Sequence, residues 1–316
     1  MLTILGSGFG LYGYLPALVG CCGERVLLPM RVRARFDTRA ELQQFAHGVE
    51  WVADDDAALA RASGAVLALP PDAQPVRALD CLNHRNISWL VLEKPLAANP
   101  AAARSLLARL EAAGVRFRIG YLFRHTAWGE RLLAGWPGWS PSDVVSIRWA
   151  FMAHHFRNDI DTWKRHTERG GGALRFFGIH LVALLAELGY DDVCESSGCG
   201  ATGELQRWDA RFSGPGLPDC ALRVDTRSNA DRFTIFRRCA AGAEDLIADL
   251  KGPFDACTPP PDLPGVDSRV PLLAELCRSV QANGRTRWYA DAVTLWERAE
   301  ARMAVPDQPT RRPTDR

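Results

Sequence analysis

Trp89-Leu90-Val91-Leu92-Glu93-Lys94-Pro95 fixes how the first half of this chain must fold. Four apolar residues in a row are too few for a helix and read as a strand buried on both faces of a parallel sheet. Pro95 has no N–H for the ladder and stops that strand. Glu93 and Lys94 therefore fall at the carboxyl edge of the sheet, where open α/β folds keep their ligand crevices. A solvated charge pair on a turn is the plainer reading. Against it stands usage, for Lys94, Lys164 and Lys251 are the only lysines among 38 basic residues. Arginine stays protonated in proteins, whereas a lysine amine can be tuned to lose its proton.

Upstream, Leu2-Thr3-Ile4-Leu5 runs into Gly6-Ser7-Gly8-Phe9-Gly10-Leu11-Tyr12-Gly13. A glycine-rich turn between a first strand and a helix lets backbone N–H groups approach a pyrophosphate. Two registers of G-x-G-x-x-G compete. One starts at Gly6 with Leu11 in third place; the other uses Gly8, Gly10 and Gly13 and matches fully. The Gly6 register is preferred because the first glycine ordinarily ends the strand. Strands at 25–29, 49–52, 65–69, 89–92 and 115–120 alternate with helices at 54–61, 73–82 and 100–113. That alternation specifies a doubly wound parallel sheet through residue 121. After the second strand come Arg31 and Arg33 rather than the acidic residue that usually holds the NAD ribose. Arginines there suit a 2′-phosphate, so NADP is expected ahead of NAD; a solvated helix face is the competing reading.

Beyond Tyr121 the pattern changes. A helix at 128–134 and a turn at Pro137 to Pro141 lead into alternating stretches at 145–151, 207–212, 222–225 and 233–236. These predict an antiparallel sheet with one polar face. An apolar helix follows Gly170-Gly171-Gly172 and ends near Gly189; a last helix spans 287–303. The expected architecture is α/β: a Rossmann domain over 1–121, an α+β domain with an open antiparallel sheet over 122–304, and a disordered tail over 305–316.

The ordered set Gly6-Ser7-Gly8-Phe9-Gly10, Glu93-Lys94-Pro95, Gly120-Tyr121 with Arg124, and the triple glycine leading to Gly178-Ile179-His180 resembles the Gfo/Idh/MocA oxidoreductases across nearly the whole chain. The resemblance implies a nicotinamide cofactor held by the first domain and a sugar, cyclitol or nucleotide sugar bound between the two. Lys94 and His180 would face the substrate as catalytic groups. Cofactor contacts would come from Gly6, Gly8, Phe9, Gly10, Arg31, Arg33, Leu69, Pro70, Gln74, Glu93, Lys94 and Trp163. Arg124, His154, His155, Lys164 and Phe176 would touch substrate. Two departures stand out. The family commonly has an aspartate one turn before the histidine, where this chain has Phe176, and often a histidine where it has Gln74. Asp159, Asp161 and Glu168 are the nearest carboxylates ahead of that helix, and Arg175 and Phe177 do not replace the lost one.

On an apolar helix His180 would ordinarily be a core histidine, and only the glycine-led context makes it a site residue. His154-His155 lacks a third ligand at metal-binding spacing, so no metal is expected. A net charge of +1 offers no general attraction to nucleic acid or membrane. Nine scattered cysteines without a C-x-x-C pair fit reduced thiols in a cytoplasm. No apolar run is expected to reach a membrane span, and no basic leader precedes the first strand. Mixed charge on the outward face of the second sheet suggests a homo-oligomer. The function expected is NAD(P)-dependent hydride transfer at a carbinol or carbonyl carbon. The rivals are a regulatory or scaffold protein with a decayed site, and an imine or enone reductase on the same fold.

Overall fold

The computed structural model describes residues 1–282 and 286–304; the tail at 305–316, expected to be disordered, lies outside them. The first sheet has six strands, β1 (Leu2–Leu5), β2 (Val26–Pro29), β3 (Val49–Val52), β4 (Gly64–Leu67), β5 (Trp89–Leu92) and β6 (Arg116–Ile119). All pair in parallel, in the order β3-β2-β1-β4-β5-β6. Strands β1, β2, β4 and β5 are buried at every position, which is why they read as unbroken apolar runs. Strand order reverses between β1 and β4, and the crevice at that switch point is where such sheets bind ligands. Helices α1 (Arg33–Asp37), α2 (Asp55–Arg61), α3 (Gln74–Leu82) and α4 (Pro100–Ala112) fill the crossovers. Asp54 and Asn99 start α2 and α4 by accepting from the N–H groups of Ala57 and Ala102. The helical run Gly10–Cys21 after β1 is apolar and wound mostly as π-helix.

Helix α5 (Ala127–Gly135) leads to the second sheet: β7 (Val144–Met152), β8 (Asp192–Cys199), β9 (Arg207–Ser213), β10 (Asp219–Asp225), β11 (Arg227–Arg238), β12 (Glu244–Leu250) and the short β13 (Met303–Ala304). Its order is β12-β11-β7-β10-β9-β8-β13. This sheet is mixed rather than purely antiparallel, for β10 runs parallel to β7 and β13 parallel to β8. The reason is local. Thr226 crosses the end of β7, where its carbonyl accepts from Ala153 N–H at 2.9 Å, so β10 and β11 flank β7 in opposite directions. Short α6 (His154–Arg157) follows β7. Between α6 and β8, the π-helical turn Ala173–Gly178 continues into α7 (Ile179–Glu187), which packs with α9 (Trp288–Ala301) under the sheet. The stretch Thr167–Glu187 does reach the length and apolarity of a membrane span, contrary to expectation, but most of it is buried core.

The chain then comes back. Helix α8 (Val270–Ser279) lays Val270, Leu273, Ala274 and Leu276 against Leu11, Tyr14, Leu15 and Leu18 of the Gly10–Cys21 run. The segment before α8 is thereby drawn across the crevice at the carboxyl edge of the first sheet.

Candidate active site

A cleft of about 490 Å³ opens at the ends of β1, β4 and β5. At one end lies the glycine loop. Gly6 has φ +147°, and a Cβ there would overlap the Ala68 carbonyl, so only glycine fits. Gly8 has no atom within 4 Å of where a Cβ would stand, whereas a Cβ at Gly10 would meet Ile4 Cγ2 at 2.9 Å. Gly6 and Gly8 fit the turn and open-approach places of the Gly6 register, while the close packing on β1 falls at Gly10, one residue before that register's third place at Leu11. An open cradle at Gly8 beside a helix start fits the pyrophosphate of a dinucleotide. Leu69 and Pro70 border the same cleft.

The arginines after β2 diverge. Arg31 lines the cleft and is held by Asp55 through bonds of 2.8 and 2.9 Å. Arg33 turns away, its guanidinium 5.4 Å from the Trp51 ring centroid and its Nε 3.6 Å from Asp37. Arg35, not foreseen, lines the cleft instead and donates to Ser7 O and Oγ at 3.1 and 3.2 Å.

At the other end stands Lys94, joined to Pro95 by a cis peptide. Gln74 is fully buried beneath this turn and donates to the Glu93 carbonyl at 2.6 Å, so it braces the turn and does not line the cleft. The Glu93 carboxylate accepts from Tyr14 Oη at 2.6 Å and sits where a Cβ at Gly120 would intrude. Burial pushes its pKa up, while the Lys94 charge and the Tyr14 bond work against that rise. Lys94 Nζ donates to the Phe176 carbonyl at 2.8 Å and lies 3.8 Å from the centroid of that ring. Lys164 Nζ approaches the same ring at 5.1 Å, and Trp163 meets it edge-on. A backbone carbonyl and an aromatic face thus hold the amine. Burial, with Lys164 and Arg269 nearby, lowers the Lys94 pKa to about 7 although Glu93 opposes the shift.

His180 lines the cleft, stacked on Phe123 at 4.6 Å, with Nδ1 buried and lacking a protein partner. Burial and the Lys94 charge hold its pKa well below the usual imidazole range, so the ring is neutral. Other expected contacts fall elsewhere. Arg124 pairs with Glu187 at 3.0 Å, His154 is exposed, and His155 is buried against Phe177. Asp159 and Asp161 bind Arg165 and His166, so neither replaces the missing carboxylate beside His180.

Sequence reasoning missed Tyr12, Phe254 and Arg269, all of which line the cleft. Arg269 is gripped by Asp267 at 2.8 and 2.7 Å and lies 4.4 Å over Phe9. No local pattern marks these residues, because the fold of α8 against the first sheet is what brings Phe254 and Arg269 to the loop.

No family model matches the sequence, and no curated protein matches it. Solved structures do match over nearly the whole chain. The WlbA dehydrogenase from Bordetella pertussis, in complex with NADH and UDP-GlcNAcA, is 16% identical with a TM-score of 0.71, covering 95% of each chain. KijD10, a 3-ketoreductase from Actinomadura kijaniata in complex with NADP and TDP-benzene, is 14% identical with a TM-score of 0.69, covering 96% of this chain and 97% of its own. GenD2 from gentamicin A biosynthesis, in complex with NAD, is 19% identical with a TM-score of 0.67, covering 95% and 92%. At such identities the likeness is one of fold.

Proposed function

We propose that this chain is a nicotinamide-dependent oxidoreductase of the Gfo/Idh/MocA type, acting at a carbinol or carbonyl carbon of a sugar, cyclitol or nucleotide sugar. One observation carries the reading: a glycine cradle with open space at Gly8 and a lysine whose pKa is lowered to about 7 share a single cleft. A bound nicotinamide would supply the hydride acceptor or donor. Lys94 Nζ takes the hydroxyl proton in the oxidation direction and returns it in reduction, its pKa being close to working pH. His180, neutral and fixed by its Phe123 stack, holds the same oxygen by a hydrogen bond. Trp163 and Phe176 give the reacting end an aromatic wall, which would limit the access of water once substrate is bound. The aromatic wall also favours a second reading, reduction of a flat imine or enone. A decayed, non-catalytic site fits less well, since Lys94 and His180 both line the cleft.

NADP is the cofactor this reading prefers over NAD, because Arg31 and Arg35 line the far end of the cleft. Arg31→Asp or Arg35→Asp should narrow or reverse the preference in calorimetry. Arg33→Asp should leave it unchanged, as that side chain packs on Trp51. The nine thiols are all free, in keeping with a reducing cytoplasm. The open face of the second sheet would join two copies in a dimer.

The decisive experiment follows nicotinamide absorbance across sugars, cyclitols, nucleotide sugars and cyclic imines, with mass spectrometry of any cofactor that copurifies. Turnover of a hydroxyl or carbonyl substrate supports the proposal. Failure to bind either dinucleotide in calorimetry sinks it, and turnover of imines alone transfers the assignment to the second reading.

A further inference from the structure

Arg269 comes from the part of the chain with the least sequence pattern, yet it stands in the cleft beside the glycine loop. Its guanidinium lies 4.4 Å over Phe9, the residue between the loop glycines, and 5.6 Å from Phe254 on a second side. Asp267 takes Nε and Nη2, which fixes the plane of the fork and leaves Nη1 outside that pair. The side chain is packed among protein atoms and still keeps 30% of its surface accessible, as a group lining a cleft does. Directly after it, α8 begins and is locked onto the first sheet's helical run by Val270, Leu273 and Ala274.

A half-buried Arg–Asp pair serving only to brace a loop would gain little, because desolvation offsets most of the attraction. An arginine already oriented and partly desolvated, with Nη1 outside the carboxylate pair, is by contrast a site for charge-assisted hydrogen bonds to an anion. Other cleft cations are engaged by other groups. Arg31 is held by Asp55, Arg35 reaches the loop at Ser7, and Lys94 and Lys164 both gather on Phe176. The unfilled space faces Gly8, one residue from the Phe9 that Arg269 covers.

We propose that Arg269 anchors the pyrophosphate of the dinucleotide, reaching it from the second half of the chain opposite the glycine loop. This rests on the cofactor reading above. Binding would then bridge β1's loop and the segment before α8 through the anion, so that the dinucleotide is clamped between two remote stretches of sequence.

The test compares wild type with Arg269→Gln, Arg269→Lys, and Arg269→Gln combined with Asp267→Asn. The combined variant removes both charges together, so that no carboxylate is left unpaired if the single variant fails to fold. Affinities for NADP, 2′-phospho-ADP-ribose and adenosine 2′-phosphate are read by calorimetry and by displacement of bound NADPH. The two pyrophosphate-bearing ligands should weaken about 10- to 100-fold, the scale of a lost charge-assisted hydrogen bond. Adenosine 2′-phosphate should change less than about twofold, and Arg269→Lys should recover part of the loss. NADP bound with unchanged affinity by the folded variants overturns the assignment and leaves the cofactor reading standing. An equal loss for all three ligands also overturns it, pointing to a bracing role. A wild-type chain that binds no dinucleotide overturns both.

Discussion

Removing the Lys94 amine separates proton transfer from everything else in the cleft. Lys94→Ala should lower turnover on the order of 10²–10⁴-fold, the scale of a general acid–base group. His180→Ala should cost less and show mainly in KM, because the ring is neutral and serves to position oxygen. Lys94→Arg keeps the charge but cannot take a proton, and near-normal turnover by that variant would exclude Lys94 as the base. The pH profile gives a second check. With its pKa lowered to about 7, Lys94 is neutral above and protonated below that pH. Substrate oxidation should therefore rise through pH ~7 and level off, and reduction should fall through the same range. The sign for stability follows as well. Between about 7 and ~10.4 the unfolded chain holds a proton that the folded one has lost, so this group makes stability rise with pH there. Lys94, Lys164 and His180 were legible in the sequence because scarce lysines and glycine-led context mark them locally. Arg269 and Phe254 were not, since both reach the cleft only through tertiary packing, and Tyr12, although inside the glycine-rich stretch, carries no motif that marks it.

Elements show the same division between local and distant causes. Strands β1, β2, β4 and β5 were legible because burial on both faces demands apolar runs. Strands β8 and β12 were not, as Asp192–Cys199 and Glu244–Leu250 are exposed or half-buried at most positions. Helix α8 also escaped notice, although its apolar residues recur at helical spacing, because a Pro-rich loop precedes it. The parallel placement of β10 beside β7 depends on the Thr226 crossover, which no periodicity reveals. Within the glycine loop, two substitutions should behave differently. Gly6→Ala puts a methyl onto the Ala68 carbonyl at φ +147° and should cost about 2–4 kcal/mol in chemical denaturation. Gly8→Ala meets nothing within 4 Å and should leave stability within about 1 kcal/mol. Its methyl would instead stand in the space meant for pyrophosphate, so dinucleotide affinity should fall. Equal stability loss in both variants would show that the loop glycines are there for folding alone.

For the whole molecule, the second sheet has one face covered by α7 and α9 and another that carries Arg148, Glu195, Asp209, Arg211 and Arg223 around Ala221. Along β9 and β10 burial alternates residue by residue, so outward positions are set by the pleat and were readable from sequence. What the sequence could not indicate is how far those charges satisfy one another. Arg211 pairs with Glu195, and Arg223 with Asp209, within the chain. A face whose charges are already paired loses less on being covered than one of unpaired ions. Balanced signs also let the surface meet its own copy about a two-fold axis without like-charge repulsion. The expected outcome is a dimer of twice 34.8 kDa in light scattering at micromolar concentration. Ala221→Arg would place a long unpaired cation at the centre of that face and should shift the mass toward the single chain. Because β10 lies in the second sheet and Ala221 is not among the residues lining the cleft, dinucleotide binding should persist in that variant. A single-chain mass for wild type under these conditions, or an unaltered dimer in Ala221→Arg, would place the contact elsewhere or nowhere.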